Sequence, residues 1–371
     1  MVEILDTTLR EGEQTPGVTF AINEKIEIAN LLDKFGVDII EAGHPTVSKD
    51  VYKGIKELTR QRYNAKILAH TRAIKEDIDL ALSCDVEWVG IFLCMEENRL
   101  KKQFKISLDE AINKVTSSIE YAKDNGLKVR FTPEDTIRTE YDSLLRVINS
   151  VENVKVDRIS IADTVGISTP FQLHNLVKQI KSISKTPLNV HCHNDLGLAT
   201  ANSLAAFEAG VTMIDVTVNG LGERVGITSL SEICTILKTL NGVENNWKLD
   251  LLPYLSKTVE EYSGIKIQKN IPIIGENAFQ HKAGLHVAAV IEDPAFYEPF
   301  PAELVGKKRD FTIDKMSGKH SIRKKIENLG YSNYEDEKRL LEYVKSKDKG
   351  VVTDNEILQI LSDISTNQYV L

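Results

Sequence analysis

Short runs rich in β-branched residues alternate with longer stretches whose apolar positions recur every three or four residues, and the rhythm lasts for about 240 residues. The short runs are Val2 to Asp6, Val37 to Ala42, Ala65 to His70 and Val86 to Leu93, then Leu127 to Thr132, Val156 to Ala162, Leu188 to His193 and Met213 to Val218. Each reads as a strand of a buried parallel sheet. Between them lie helical patterns such as Asn23 to Phe35, with Ile26, Ala29, Leu31 and Leu32 on one stripe. Gly36, Gly126 and Gly210 each fall between a helix and the next strand, where a left-handed cap belongs. Eight strands with helical crossovers in this length predict a (β/α)8 TIM barrel, an α/β fold. A doubly wound open sheet is the alternative, but its GxGxxG fingerprint is missing, because Asp6 is followed by TTLREGEQ.

Past Leu240 the rhythm stops. Leu251 to Tyr262 reads as a helix, Ile271 to Phe279 as an extended arm and His281 to Val290 as a further helix. The box Thr353-Asp354-Asn355-Glu356 opens a last helix to about Ser365. The pattern therefore predicts a barrel domain over residues 1–242 and a smaller, mostly helical subdomain with a linker arm over residues 243–371.

Composition narrows the function classes. Lysine and arginine total 46 against 54 acids, a net charge of −8, which disfavours nucleic acid or an anionic membrane as partner. No apolar run is long enough to span a bilayer, and the first residues lack the pattern of a secretory signal. The four cysteines (Cys84, Cys94, Cys192, Cys234) are scattered without metal or redox spacing, which fits a cytoplasmic location and a structural role for each.

In such a barrel the chemistry sits at the C-terminal ends of the strands. Those ends carry Arg10, Glu11, His44, His70, Arg130, Thr132, Glu134, Asp163, Thr164, His191, His193, Asn194, Asp195 and Asn219. The sharpest signal is His191-Cys192-His193. Residues two apart on a strand share a face, so both imidazoles enter the barrel while Leu188, Val190 and Cys192 face the helices. Two histidines suit a divalent metal with open positions, and Glu11 on strand one, adjacent to strand eight after closure, is the natural third ligand. The alternative is a hydrogen-bonded pair without metal. On strand five, Lys128, Arg130, Thr132 and Glu134 share the inward face. A buried guanidinium needs an anion. That anion is either a substrate carboxylate held bidentately or an internal partner, Glu134. The glycine-rich Asn219 to Gly226 serves either phosphate binding or turn closure. Lys101, Lys102 and Lys105 read as a solvated face.

The segments DTTLREGEQ (Asp6 to Gln14), IADTVG (Ile161 to Gly166), HCHND (His191 to Asp195), NGLGER (Asn219 to Arg224) and ENAFQHKAGLH (Glu276 to His286) resemble the DRE-type, metal-dependent Claisen-condensing family. Its members include isopropylmalate, homocitrate and citramalate synthases and hydroxymethylglutaryl-CoA lyases. Within it, His70 and Arg130 in RFTPED resemble homocitrate synthases, which hold the distal carboxylate of 2-oxoglutarate. Citramalate and isopropylmalate synthases, using pyruvate or 2-oxoisovalerate, are the neighbouring alternatives, and a C–C lyase is a more distant one.

The resemblance implies a divalent metal (Mg, Mn, Zn or Co) on Glu11, His191 and His193, and acetyl-CoA as co-substrate. It implies that Arg10 stabilises the developing alkoxide, that Thr164 meets the near end of the 2-oxo acid, that His70, Arg130 and Thr132 meet its far end, and that Arg10 and Gln14 also bind substrate. Glu134, His286 and Tyr297 match the acid/base machinery, and Asn219, Gly220 and Gly222 lie where acetyl-CoA passes. It further implies a homodimer in which the arm bearing His286 and Tyr297 serves the partner's barrel. Ile227 replaces an asparagine that contacts metal in isopropylmalate synthases. Asn189 replaces an acid linked to lysine inhibition in fungal homocitrate synthases. His44, in EAGHP, replaces an expected apolar residue.

Overall fold

The computed structural model describes residues 2–331 and 334–365. Two compact units make up the chain, Met1–Ile267 and Gln268–Leu371.

The first unit is a closed parallel barrel of β1 (Glu3–Asp6), β2 (Ile39–Gly43), β3 (Lys66–Arg72), β4 (Trp88–Cys94), β5 (Lys128–Glu134), β6 (Arg158–Asp163), β7 (Leu188–Cys192) and β8 (Met213–Val216), in that order, with β8 returning to β1. All eight expected strands are present, most of them starting one or two residues later than their apolar runs. The helix Ile22–Phe35 starts one residue earlier than its pattern suggested, and Gly36 closes it at φ 103°. Gly126 and Gly210 take the same left-handed geometry.

Strand parity sorts the side chains. Val129, Phe131, Ile159, Ile161, Val190 and Cys192 are fully buried, on the parity that faces the helices. Leu5, Ile39, Leu68 and Met213 fill the bottom of the barrel interior, with Trp88 beside them. Above that layer the interior turns polar, and this is the layer that positions the site.

The first unit runs to Ile267, past the boundary at residue 242. The reason is the helix Leu252–Ser263, which packs on the helix Ile22–Phe35 and through Ser256 on Asn219, and so belongs to the barrel. The second unit has its own apolar core of Ile313, Ile322, Ile326, Leu340, Val344 and residues of the last helix. Its helices are Gly284–Glu292, Lys319–Asn328, Tyr334–Ser346 and Asp354–Ser365. The last is capped as expected, with the Glu356 N–H donating to Thr353 Oγ1 at 3.3 Å and Thr353 N–H to Glu356 at 2.8 Å. The segment expected as an extended arm, Ile271 to Phe279, is instead a run of turns, and the two-residue strand Gln280–His281 that follows it pairs with Asp310–Phe311.

Candidate active site

A cavity of about 470 Å³ opens at the C-terminal end of the barrel strands. It gathers Arg10, Glu11, Gln14, His70, Arg130, Thr132, Glu134, Thr164, His191 and His193 from β3, β5 and β7 and from the loops after β1, β6 and β7. Asn219, Gly220 and Gly222 do not line it. The Asn219 side chain is committed to Ser256, donating to its carbonyl at 2.9 Å and accepting from its hydroxyl at 2.5 Å. Gly222, at φ 156°, lies against Glu11, where any Cβ would crowd the carboxylate at 3.2 Å. The glycine-rich loop therefore closes a turn over Glu11, and the Glu223 N–H donates to that carboxylate at 2.9 Å. His286 and Tyr297 lie in the second unit, where their rings stack at 4.2 Å.

Glu11, His191 and His193 bring one ligand atom each within 4.8 Å of one another, all three buried. His191 Nδ1 faces Asp215 at 3.0 Å. A carboxylate there fixes the proton on Nδ1 and leaves the Nε2 lone pair for the cluster. That Nε2 lies 3.3 Å from His193 Nε2, so the two acceptors point at one place. Burial, then its imidazole neighbour His191, pushes the His193 ring down to about 3. Burial pushes the Glu11 carboxyl up, but Arg10 and the two histidines outweigh it and hold it below the ordinary range. Around the cluster two guanidiniums, Arg10 and Arg130, meet three buried carboxylates, Glu11, Glu41 and Asp215, so these five connected groups carry one excess negative charge. Two neutral imidazoles, one carboxylate and an anionic surrounding fit a divalent cation.

The interior arginine finds its partners elsewhere than at Glu134. Arg130 is buried, and its terminal nitrogens donate to Glu41 at 2.8 Å and to Asp215 at 2.9 and 3.1 Å. It does not pair with Glu134, which is held by Arg99 at 2.8 Å. Its charge is thus met inside the barrel, and its burial alone demands no substrate anion. Gly90 makes this possible, since a Cβ there would meet Arg130 at 3.2 Å and Glu41 at 3.4 Å. Glu41 is a hub that accepts from Thr7 at 2.5 Å, Arg10 at 2.7 Å, Arg130, and His70 Nδ1 at 3.1 Å. Burial opposes its ionisation, but Arg10 and Arg130 win and hold it well below the carboxylate range. Burial also pushes His70 down to about 4. Asn189 donates to Ser160 at 2.7 Å and Asp215 at 3.0 Å, within the same network.

Glu41, Asp215, Arg99 and Arg224 went unnoticed in the sequence. Glu41 and Asp215 had a signal, each being a lone acid within an apolar strand on the inward parity. Arg224 clamps Asp195 at 2.6 and 2.7 Å and donates to the Thr164 carbonyl, tying the β8 loop to the loops after β6 and β7; only the fold brings those together. Thr164 Oγ1 accepts from the Asp135 N–H at 2.9 Å, which leaves its own O–H to donate. The four cysteines are all buried, and burial raises every thiol, Cys84 and Cys94 to about 11, so none is a ready nucleophile. Ile227 is buried and bridges His193 through the backbone.

A parallel barrel with two imidazoles and a carboxylate converging at its C-terminal rim is a barrel of the metal-dependent enzyme class. Residues 1–259 match the family described as HMGL-like, and residues 273–350 match the homocitrate synthase post-HMGL domain-like family. A homocitrate synthase of Pyrococcus horikoshii is 52% identical over 96% of this chain and 98% of its own length. One from Saccharolobus islandicus is 45% identical over 99% of this chain and 76% of its own length. Among solved structures, the Bacillus subtilis HMG-CoA lyase covers 72% of this chain and 96% of its own at a TM-score of 0.65 and 21% identity, a likeness of fold. The chain belongs to the homocitrate synthase branch of the HMGL-like family.

Proposed function

We propose that this chain joins the methyl carbon of acetyl-CoA to the keto carbon of 2-oxoglutarate and hydrolyses the thioester, giving homocitrate and CoA for lysine biosynthesis through 2-aminoadipate. The observation that carries the reading is the convergence of Glu11, His191 and His193 beside Arg10 in a chain 52% identical to a homocitrate synthase. Because Arg130 already has two internal carboxylates, the choice of 2-oxoglutarate over pyruvate or 2-oxoisovalerate rests on the relatives. Held by the three ligands, a divalent ion (Mg, Mn, Zn or Co) would polarise the acceptor's keto group and offset the excess negative charge.

The chain's own groups carry the rest. Arg10 spans Glu11 and Glu41, so its guanidinium is fixed where the keto oxygen gains charge, and it needs no rearrangement to stabilise an alkoxide. The Thr164 hydroxyl and the Gln14 amide are assigned to the near end of the acceptor, and His70, Arg130 and Thr132 to the far carboxylate. A base takes a proton from the acetyl methyl, the resulting carbon attacks the keto carbon, and the alkoxide takes up a proton. Water then adds to the thioester carbonyl, and the C–S bond breaks to release the CoA thiol. Glu134, His286 and Tyr297 are assigned to these proton transfers. We assign the acetyl-CoA path to the loop of Asn219, Gly220 and Gly222, through its backbone since the Asn219 side chain is taken.

We further infer a cytoplasmic homodimer in which the segment bearing His286 and Tyr297 serves the partner's site. Leu285 and Tyr297 are 85% and 49% exposed, which supports an unmet contact. Among the described residues no helix is long and apolar enough to cross a membrane. Thiol release from acetyl-CoA, measured against 2-oxoglutarate, 2-oxoisovalerate and pyruvate with and without Mg2+ or Mn2+, tests the function. Metal-dependent release favouring 2-oxoglutarate is the expected outcome. Release favouring another acceptor overturns the substrate assignment.

A further inference from the structure

β2 does not end as a regular strand. Its register against β3 runs Ile39 to Lys66, Ile40 to Ile67 and Glu41 to Leu68, then skips Ala42 so that Gly43 meets Ala69. Such a bulge re-aims the residues after it. By simple alternation from the inward Glu41, His44 would face the helices. With one residue absorbed it comes level with His70 instead, and the two rings meet edge to face at 5.9 Å. Gly43 permits the bend: it sits at φ 138°, and a Cβ would strike Val51 at 2.8 Å. His44 thereby lines the cavity with its side chain 15% exposed.

The imidazole is held from behind. Its Nε2 lies 2.9 Å from Asp77, a carboxylate only 1% exposed. Asp77 is gripped in turn by the Arg72 guanidinium through two bonds of 2.8 Å and by the Arg72 N–H at 3.1 Å. Arg72 cancels the charge of Asp77, so this pair fixes the ring without consuming a positive charge on it. Phe92 stacks on His70 at 4.5 Å and meets His44 at 6.3 Å. Val47 and Val51 complete an otherwise apolar end of the cavity.

Strand order gives this end its meaning. The metal-site residues come from β7 and the loop after β1, whereas His70 lies on β3, four strands from β7 in a ring of eight. An acceptor held at the metal side extends towards β2, β3 and β4.

We propose that His44 is a specificity-determining residue for the acceptor. Positioned by Asp77 and Arg72, it meets the distal carboxylate of the 2-oxo acid beside His70 and sets both the length and the charge that the cavity accepts. With Nε2 engaged by Asp77, Nδ1 is the ring nitrogen left to face an arriving carboxylate. The assignment rests on the function proposed above.

The test compares wild type with His44→Leu, His44→Gln and Asp77→Asn, after metal uptake and thermal unfolding confirm intact proteins. Thiol release is measured with 2-oxoglutarate and with 2-oxopentanoate, which has the same chain length and no distal carboxylate. For His44→Leu the KM for 2-oxoglutarate should rise about 10- to 100-fold, as expected for losing a bond to a charged group, with the KM for acetyl-CoA unmoved. The preference for 2-oxoglutarate over 2-oxopentanoate should fall by a similar factor. Asp77→Asn should move both in the same direction by less, and His44→Gln should recover part of the loss. Unchanged KM and unchanged preference in a folded, metal-loaded His44→Leu protein overturn the assignment of His44 alone. Failure of the wild type to use 2-oxoglutarate overturns the proposed function and this assignment with it.

Discussion

The two sides of the cavity are built on different principles. On the metal side, His191 and His193 follow from strand parity, and barrel closure brings the loop bearing Glu11 to them. On the opposite side, His44 arrives through a bulge, and Arg130 lies between Glu41 and Asp215 only because Gly90 vacates the space. A motif read along one strand captures the first side. The second depends on contacts between strands far apart in sequence. The sides are also coupled, since ion pairs link Arg10, Glu41, Arg130 and Asp215 across the interior and a hydrogen bond carries the chain on to His191.

The sharpest way to break the metal side is His191→Ala. It should abolish both metal binding and turnover while the barrel stays folded, read by metal content and thiol release on the same sample. A metal-free, active variant would end the assignment.

On the other side the largest effect should be structural. Arg130→Met leaves Asp215 buried without a guanidinium and Glu41 with Arg10 alone, so unfolding free energy should drop by about 3–5 kcal/mol, as for a broken buried pair. Denaturant unfolding measures it. A change in the KM for 2-oxoglutarate with stability intact would show instead that Arg130 serves substrate alone.

Asp215→Asn probes the coupling. It removes the carboxylate that sets the His191 tautomer, and metal affinity should weaken about 10- to 100-fold, as for other partners of metal-binding histidines. Metal titration decides it, and an unchanged affinity would leave the two sides independent.

The smallest effect concerns a residue outside both sides. Burial, ahead of every other cause, pushes the Asp6 carboxyl up from its ordinary 3.8 to about 7. Between those values the folded chain holds a proton that the unfolded chain has lost, so this group makes stability fall as pH rises through that window. Asp6→Asn should flatten that part of the Tm profile between about pH 4 and 7. A profile as steep as wild type would assign the slope to other groups.

Much of this molecule was legible in its residues. The eight β/α units, the glycine caps after their helices, the inward parity of β5 and β7 and the capping box at Thr353 all follow from local pattern, because helix and strand periods act over a few residues. The partners of Arg130 were not, since Glu41 and Asp215 lie 89 and 85 residues away and meet it only across the closed barrel. The bulge that turns His44 inward shows up in the register of β2 on β3, and no period within β2 announces it. The barrel unit ends later than the rhythm suggested because a helix outside the β/α repeat still packs on it.

We propose that the two sides grip the two ends of one dicarboxylate. Calorimetric binding of 2-oxoglutarate and 2-oxopentanoate to the same protein, with Mn2+ and after its removal, tests it most directly. We predict that both acids lose their affinity without metal, and that with metal 2-oxoglutarate binds at least about tenfold tighter, the scale of one bond to a charged group. Equal affinity for the two acids, or affinity that survives metal removal, would contradict it.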